Sequence, residues 1–504
     1  MPALLLIALL VAAEPPDAGA APPLIAAGAS TPGSIYQPAQ TTTSATLALA
    51  DCLRLAHRQG RRAIQAGEEL RLAESALGAA RRDYGPQPTA TIGAGWSGSG
   101  TSPRPGDDQR ATVGATQRLP TGGEVGVSAT AARNRTAGST ATTSDEVALT
   151  ARQPLLRGAG PTAWRQPLTA AERALADARR AHLRDRQDIS VDTARSFWGL
   201  QRRQEEVSQA QAAAQRAAFL REQSEALMAV GKRGADDLFR AETNLLSAQQ
   251  QALDSVAGFE AAVDALRLDL ALAPGTTIAI DQTPPKLLRW IIDAGRAIAA
   301  ALERRLDLAS AAERIDDAER AVVLARDGLW PRLDATGRMA WGGVLDQGAN
   351  QSVRGPPNWR VGLELDLPLA TQHQEFALEQ ALVARTRARR AAAELRERVV
   401  NEILDAIRDL RRAEDSLAIQ DRNRIQATRR AEKASLDFQA GTASNRDVVE
   451  AQGEVRAAEN AWYAALVAYR VSELSLRRAT NCLTIDANGA WDESPTPYAS
   501  VEPK

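Results

Sequence analysis

Four charged residues stand at matched points in a chain that repeats itself: Asp237 and Arg240, then Asp447 and Glu450. Members of each pair are three apart, so on a helix both face one side. Two carboxylates on one face of a constriction set a negative field that favours cations and disfavours anions. Arg240 stands where Glu450 falls in the other copy and can pair with carboxylates across the repeat. No catalyst accompanies them. The three histidines, His57, His182 and His373, lie far apart without cysteine or carboxylate at metal spacing, and read as surface helix residues. Gly158-Ala159-Gly160 lacks the Lys-Ser/Thr of a phosphate loop and reads as a strand-to-helix junction. No nucleophile-elbow pattern surrounds any Ser or Thr. The expectation is therefore no catalytic residue, no metal site, no cofactor and no enzyme.

The repeat dictates everything else. Gly231-Lys232-Arg233-Gly234-Ala235-Asp236-Asp237-Leu238 recurs 210 residues later as Gly441-Thr442-Ala443-Ser444-Asn445-Arg446-Asp447-Val448. Gly231 matches Gly441, Asp237 matches Asp447 and Ala241 matches Ala451 without a gap. Upstream, 80–96 resembles 325–341, with Arg81/Arg326, Pro86/Pro331 and Trp96/Trp341 each 245 apart. A chain of 504 residues thus reduces to two copies of one unit.

Composition agrees with long helices rather than large globular cores. Charged residues make up 24 % but aromatics only 4 %, with Ala and Arg dominant. With 61 basic and 62 acidic residues the net charge is −1, so no nucleic-acid partner is implied. Cys52 and Cys482 lie at opposite ends and pair only if the termini meet. Residues 1–13 read as a signal peptide with an apolar core from Leu4 to Val11, although no Lys or Arg precedes it. No cysteine follows for a lipid anchor there, and 14–45 reads as a flexible leader.

From Thr46 to Arg82 the pattern is helical, ending before Pro86 and Pro88. The period then changes to two. Ala111, Val113 and Ala115 alternate with Thr112 and Gly114; Val125, Val127 and Ala129 alternate with Gly126 and Ser128. In the second copy Trp359, Val361, Leu363, Leu365 and Leu367 alternate with Arg360, Gly362, Glu364 and Asp366. Strands of about ten residues suit a tilted bilayer crossing. A soluble sheet with one face on a core fits the alternation equally well. The tryptophans Trp96, Trp341 and Trp359 near strand ends hint at interfacial girdles.

Beyond the strands the helices are very long: Thr371 to Ala440 holds neither Gly nor Pro. Seventy residues of helix extend about 100 Å, too far to bury inside a globule. They must pair along their length, and the short links at 231–234 and 441–444 make each pair an antiparallel hairpin. The expected order is a first repeat over 46–272 (strands 88–155, hairpin 161–272) and a connector over 273–285. A second repeat follows over 286–483 (strands 332–369, hairpin 371–483), then a flexible tail over 484–504. No run of eighteen apolar residues occurs, so membrane contact falls to the strands, closed into a barrel by several copies.

"QPLLRGAG" (153–160) and "LDLPLATQHQEFALEQA" (365–381), with the two Gly-x(5)-Asp turns, resemble the TolC-like outer-membrane efflux channel family. The resemblance spans roughly 46–485. It implies a mainly α fold with a β-barrel portion: a homotrimer forming a barrel in outer-membrane lipid and a helical barrel reaching into the periplasm. The function implied is the passive exit duct of a tripartite efflux or type I secretion system. A periplasmic adaptor and an inner-membrane pump or ABC transporter would open it. A non-conducting periplasmic scaffold or adhesin is the alternative. In a trimer, Asp447 and Glu450 would each form a ring at the entrance, with Asp237 and Arg240 beside them. Gly231, Lys232, Arg233, Gly441 and Thr442 would form the rim that meets the adaptor. Ala443 stands where the family often has a basic latch residue. The family's pattern is two strands per half, whereas 88–155 holds four candidates, which either enlarge the barrel or fold outside the pore.

Overall fold

The computed structural model describes residues 46–97, 106–135, 141–229, 235–346, 351–440 and 445–501. All belong to one unit, Thr42–Lys504. The expected signal peptide and leader lie outside the described residues. So do the links at 231–234 and 441–444.

The first copy runs β1 (Thr46–Leu47), α1 (Leu49–Gln59), α2 (Arg61–Arg82), β2 (Gln87–Ser97), β3 (Gly106–Arg118), β4 (Glu124–Arg135), β5 (Thr142–Pro154), α3 (Pro161–Ala229) and α4 (Ala235–Asp269). After β6 (Ala279–Ile280) and β7 (Trp290–Ile292), the second copy runs α5 (Ala294–Arg304), α6 (Leu306–Asp327), β8 (Arg332–Asp346), β9 (Gln351–Arg354), β10 (Asn358–Asp366), α7 (Gln372–Gln439) and α8 (Asn445–Ala479). A last strand, β11 (Ala499–Val501), closes the order. The duplication is visible in the lengths. α1 and α5 each have 11 residues, α2 and α6 have 22, α4 and α8 have 35, and α3 and α7 have 69 and 68.

The helix expected from Thr46 to Arg82 is broken. Gly60 sits between α1 and α2 with φ −60° and ψ 138°, an extended conformation. Its Cα lies so near the Ala56 carbonyl that a Cβ would meet that oxygen at 2.2 Å. Thr46 and Leu47 leave the helix altogether and pair in parallel with Ala279 and Ile280.

α3 pairs along α4, and α7 along α8, while α3 also packs on α8 and so joins the hairpins. Two buried clusters hold the helices together. One gathers Cys52, Ala56, Phe197, Trp198, Leu266, Leu270 and Leu474. The other gathers Ala297, Ala301, Val399, Ile403, Ile407, Leu466 and Tyr469. These are mostly small or aliphatic residues along helix faces, which is why so few aromatics suffice. Cys52 and Cys482 are both free thiols; Cys52 is fully buried, and that burial pushes its thiol up to about 12.

The tail expected to be flexible is instead packed as far as Val501. β11 pairs antiparallel with β7, and the Tyr498 hydroxyl lies 3.0 Å from Thr480 Oγ1 in the buried interior. A buried ionic cluster adds to this hold. Arg470, Glu473 and Arg477 of α8 are all buried, with Arg470 Nη1 donating to Glu473 Oε2 at 2.5 Å and Arg477 Nη2 3.0 Å from Glu473 Oε1. Arg470 Nη2 reaches Glu493 at 2.7 Å, and Arg477 Nη1 donates to the carbonyls of Asp492 and Ser494. The first copy has Glu260 and Val263 at the positions matching Arg470 and Glu473, and no such tail to hold.

Candidate functional site

The sheet that joins the two copies has the order β10-β8-β5-β4-β3-β2, with β9 continuing beside the far end of β8. Every neighbouring pair is antiparallel. Its register aligns whole rows. Pro88, Ala115, Val127, Leu149, Met339 and Trp359 lie side by side across six strands. The adjacent row on the same face is Ala90, Val113, Ala129, Val147 and Trp341. The opposite face carries Thr91, Thr112, Thr130, Glu146 and Gly342 in one row and Gln87, Thr116, Gly126, Thr150, Arg338 and Arg360 in another.

The apolar face is the exposed one. Ile92 is 90 % exposed, Val361 76 % and Leu363 70 %, and Val113, Val127, Val147 and Leu149 are exposed with them. A soluble sheet buries that face; here it is bare, while the polar face bonds within itself. Thr112 and Thr130 hydroxyls are 3.1 Å apart, and Arg338 pairs with Glu146. Near the ends of the strands the apolar face turns ionic, with Arg135 paired to Asp107 at 2.6 Å and Arg354 to Asp145 at 3.4 Å. An apolar band bounded by charge, backed by a polar interior, is the pattern of a barrel wall facing lipid. Within the chain the sheet ends at β2 on one side and β10 on the other, each with one strand neighbour among the described residues.

The junctions between wall and helices are tightly bonded. Asp334 is buried at the base of β8 and accepts from Arg152 Nε and Arg332 Nε, each at 2.8 Å. Gly158 N donates to Asp327 Oδ2 at 2.8 Å, tying the start of α3 to the end of α6. Further along, Arg180 forks onto Glu313 at 2.8 and 2.5 Å, with Arg173 3.0 Å from the same carboxylate. Those guanidinium hydrogen bonds hold Glu313 down to about 2. Sequence reasoning missed both clusters, because their members lie in different elements and no spacing announces them.

His57 also departs from its expected surface place. It is half-buried, its Nε2 is 2.8 Å from Ser190 Oγ, and Ser190 in turn donates to the Gly489 carbonyl at 2.9 Å. Burial, with nearby Arg186, pushes its imidazole down to about 4. His373 is exposed.

At the far ends of the hairpins the expected tip residues are placed in register. Asp237 and Asp447 are both third in their helices, and Arg240 and Glu450 both sixth. Arg240, Asp447 and Glu450 are exposed, and Asp447 lies in the first turn of α8, where a carboxylate complements the helix dipole. Asp237 is in α4, but its side chain, with Gly231, Lys232, Arg233, Gly441 and Thr442, lies outside the described set. The pairs belong to different hairpins of one chain. Below them Arg430 of α7 grips Glu454 of α8 through both carboxylate oxygens, at 2.8 and 2.7 Å.

Residues 297–481 match the family model described as outer membrane efflux protein. That match lies within the second copy and covers less than half of the chain. The fold extends the likeness over both copies. The CmeC outer membrane channel of Campylobacter jejuni superposes with a TM-score of 0.65 at 15 % identity, covering 89 % of this chain and 87 % of that one. The outer membrane protein VceC of Vibrio cholerae gives 0.61 at 16 % identity, covering 86 % and 95 %. The MtrE outer membrane channel of Neisseria gonorrhoeae, in its open state, gives 0.59 at 15 % identity, covering 86 % and 88 %. No curated protein sequence matches. Among the described residues no helix is long and apolar enough to cross a membrane, and no group of three or more His, Cys, Asp or Glu could hold a metal ion.

Proposed function

We propose that this protein is the outer-membrane duct of a tripartite efflux or type I secretion assembly, and that it works as a homotrimer. The observation that carries the reading is the inverted sheet: an exposed apolar face, a polar face bonded within itself, and among the described residues no further strand at either edge. An apolar row spanning six strands is stable only against lipid, and two open edges close only against other copies.

The helices support the same assembly. Phe239, Leu246 and Leu253 are exposed on α4 at seven-residue spacing, and Ile419, Ile425 and Leu436 are exposed on α7. Seams of this kind pack helix against helix, so neighbouring copies can line up their hairpins into a continuous tunnel. Substrate then moves by diffusion, and the energy comes from a partner.

At the tunnel's free end, Asp447 and Glu450 of three copies would stand as carboxylate rings that favour cations. Arg240, sixth in its own helix as Glu450 is, would pair with those carboxylates and hold the entrance narrow. Gly231, Lys232, Arg233, Gly441 and Thr442 would present the rim to a periplasmic adaptor, itself coupled to an inner-membrane pump or ABC transporter.

Reversal potentials across a planar bilayer under a salt gradient test the entrance. The wild type should prefer cations, and a D447N/E450Q double variant should lose most of that preference while conducting more readily. Unchanged selectivity would remove these residues from the gate. Absence of any conductance would favour a non-conducting scaffold or adhesin.

A further inference from the structure

Resting on the trimeric duct reading above, we propose that this chain closes a barrel of eighteen strands. Six come from each subunit, β2 of one subunit pairs with β10 of the next, and the β3–β4 hairpin is the inserted wall that widens it.

The repeat identifies the insertion. β2 follows α2 as β8 follows α6, with Pro86 and Pro331, 245 residues apart, just ahead of the two strands. β5 leads into α3 as β10 leads into α7. In the second copy the first and last wall strands pair directly, Arg332 with Asp366 through Ala340 with Asn358. In the first copy they are held apart by β3 and β4, which pair with β2 and β5 respectively. Among the described residues the hairpin Gly106–Arg135 is therefore the insertion that separates the first copy's outer wall strands.

Three observations place it in the wall rather than outside it. Its residues continue the rows of the other strands on both faces, Ala115 and Val127 in the apolar row, Thr112 and Thr130 in the polar one. Val113 and Val127 are exposed alongside Val147 and Leu149, so the band stays unbroken across the insertion. Its turn is also anchored. The Thr121 carbonyl accepts from Gly160 N at 2.9 Å and from Gln153 Nε2 at 3.0 Å, and Thr121 Oγ1 donates to Gln153 Oε1 at 2.6 Å. Gly122, at φ 88°, packs so closely that a Cβ would meet the Gly158 carbonyl at 2.4 Å. The turn is thus fastened to the strand-to-helix junction of α3, at the same end as the other wall-to-helix joints.

Barrel diameter grows roughly linearly with strand number. With strands about 4.8 Å apart and tilted about 40°, eighteen strands give a diameter of about 36 Å and twelve about 24 Å. The outer mouth would therefore be about half as wide again as one built on the pattern of the second copy alone.

Spin labels on β10 read this directly. In a background with Cys52 and Cys482 changed to Ala, the outward Val361→Cys variant carries one label per copy. Double electron–electron resonance on the purified trimer measures their spacing. Equivalent backbone positions should lie about 31 Å apart in the wide barrel and about 21 Å apart in a twelve-strand one, the label's reach lengthening both alike. The longer distance supports the proposal; the shorter one overturns it. Replacing 98–141 by a short Gly-Ser linker should contract the distance by about 10 Å, and an unchanged distance would place the hairpin outside the pore. A full-length sample with no inter-label distance would instead overturn the trimer on which the proposal rests.

Discussion

Ala271 and Asn481, 210 positions apart, take the same left-handed backbone just beyond the returning helices, with φ 51° and 54°. The hydrogen bonds around them repeat as well. Leu272 N donates to the Arg267 carbonyl at 2.9 Å and Cys482 N to the Arg477 carbonyl at 2.8 Å. Each helix ends in the motif that ordinarily takes glycine at this position. Asn481 tolerates the conformation and adds bonds to Arg304 O and Gln187, whereas alanine has no polar side chain with which to offset the strain. Ala271→Gly should raise stability by about 0.5–1 kcal/mol, and Asn481→Ala should lower it by about 1–2 kcal/mol. Calorimetry of the purified protein checks both signs.

The buried ion cluster of α8 gives a sharper effect. Glu473→Ala leaves two guanidinium groups, each side chain at most 5 % exposed, without their shared carboxylate. Removing one partner of such a cluster costs about 3–5 kcal/mol. Because the same arginines hold the tail, limited proteolysis should cut beyond Leu483 in the variant and spare that stretch in the wild type.

Two windows of pH sensitivity follow from His57 and Glu313. His57 is held near 4 in the fold, below its ordinary 6.5, so the unfolded chain binds more protons between these values. Its contribution is full above about 6.5 and is lost as pH falls toward 4. Glu313 is depressed from 4.5 to about 2, so its contribution is present above about 4.5 and fades only below that. Stability should thus fall in two stages on acidification. His57→Gln should remove the upper stage and leave the lower, as read from denaturation midpoints at successive pH values.

The two faces of the sheet should answer oppositely to charge. Val147→Arg puts a guanidinium into the apolar band and should cost about 2–4 kcal/mol of membrane insertion. Ser128→Arg, on the polar face, should leave insertion nearly intact. Outer-membrane fractionation and heat-resistant oligomer on gels would separate them; equal behaviour would reverse the assignment of faces.

Much of this fold was legible because long-period signals are strong. A helix free of Gly and Pro from Thr371 to Ala440, a two-residue period at 359–367 and ungapped matches between copies each dictate an element without tertiary help. Breaks and attachments were not legible. Gly60 ends α1 in the same extended backbone that Arg305 takes after α5, so no residue type marks the break. The tail after Leu483 reads as polar and loose, yet Arg470 and Arg477 reach out of a helix to bind it. His57 looks like one more residue on a charged helix until Ser190, 133 positions away, closes on it. At the hairpin ends, sequence places Asp447 and Glu450 on one helix, and their arrangement between subunits depends on assembly.

Single-channel recording of the purified protein in a planar bilayer bears most directly on the account. A lipid-facing wall around a polar interior predicts discrete, stepwise ion conductance that appears only when trimers insert. Protein that stays at the aqueous surface and passes no current, however carefully reconstituted, would contradict it.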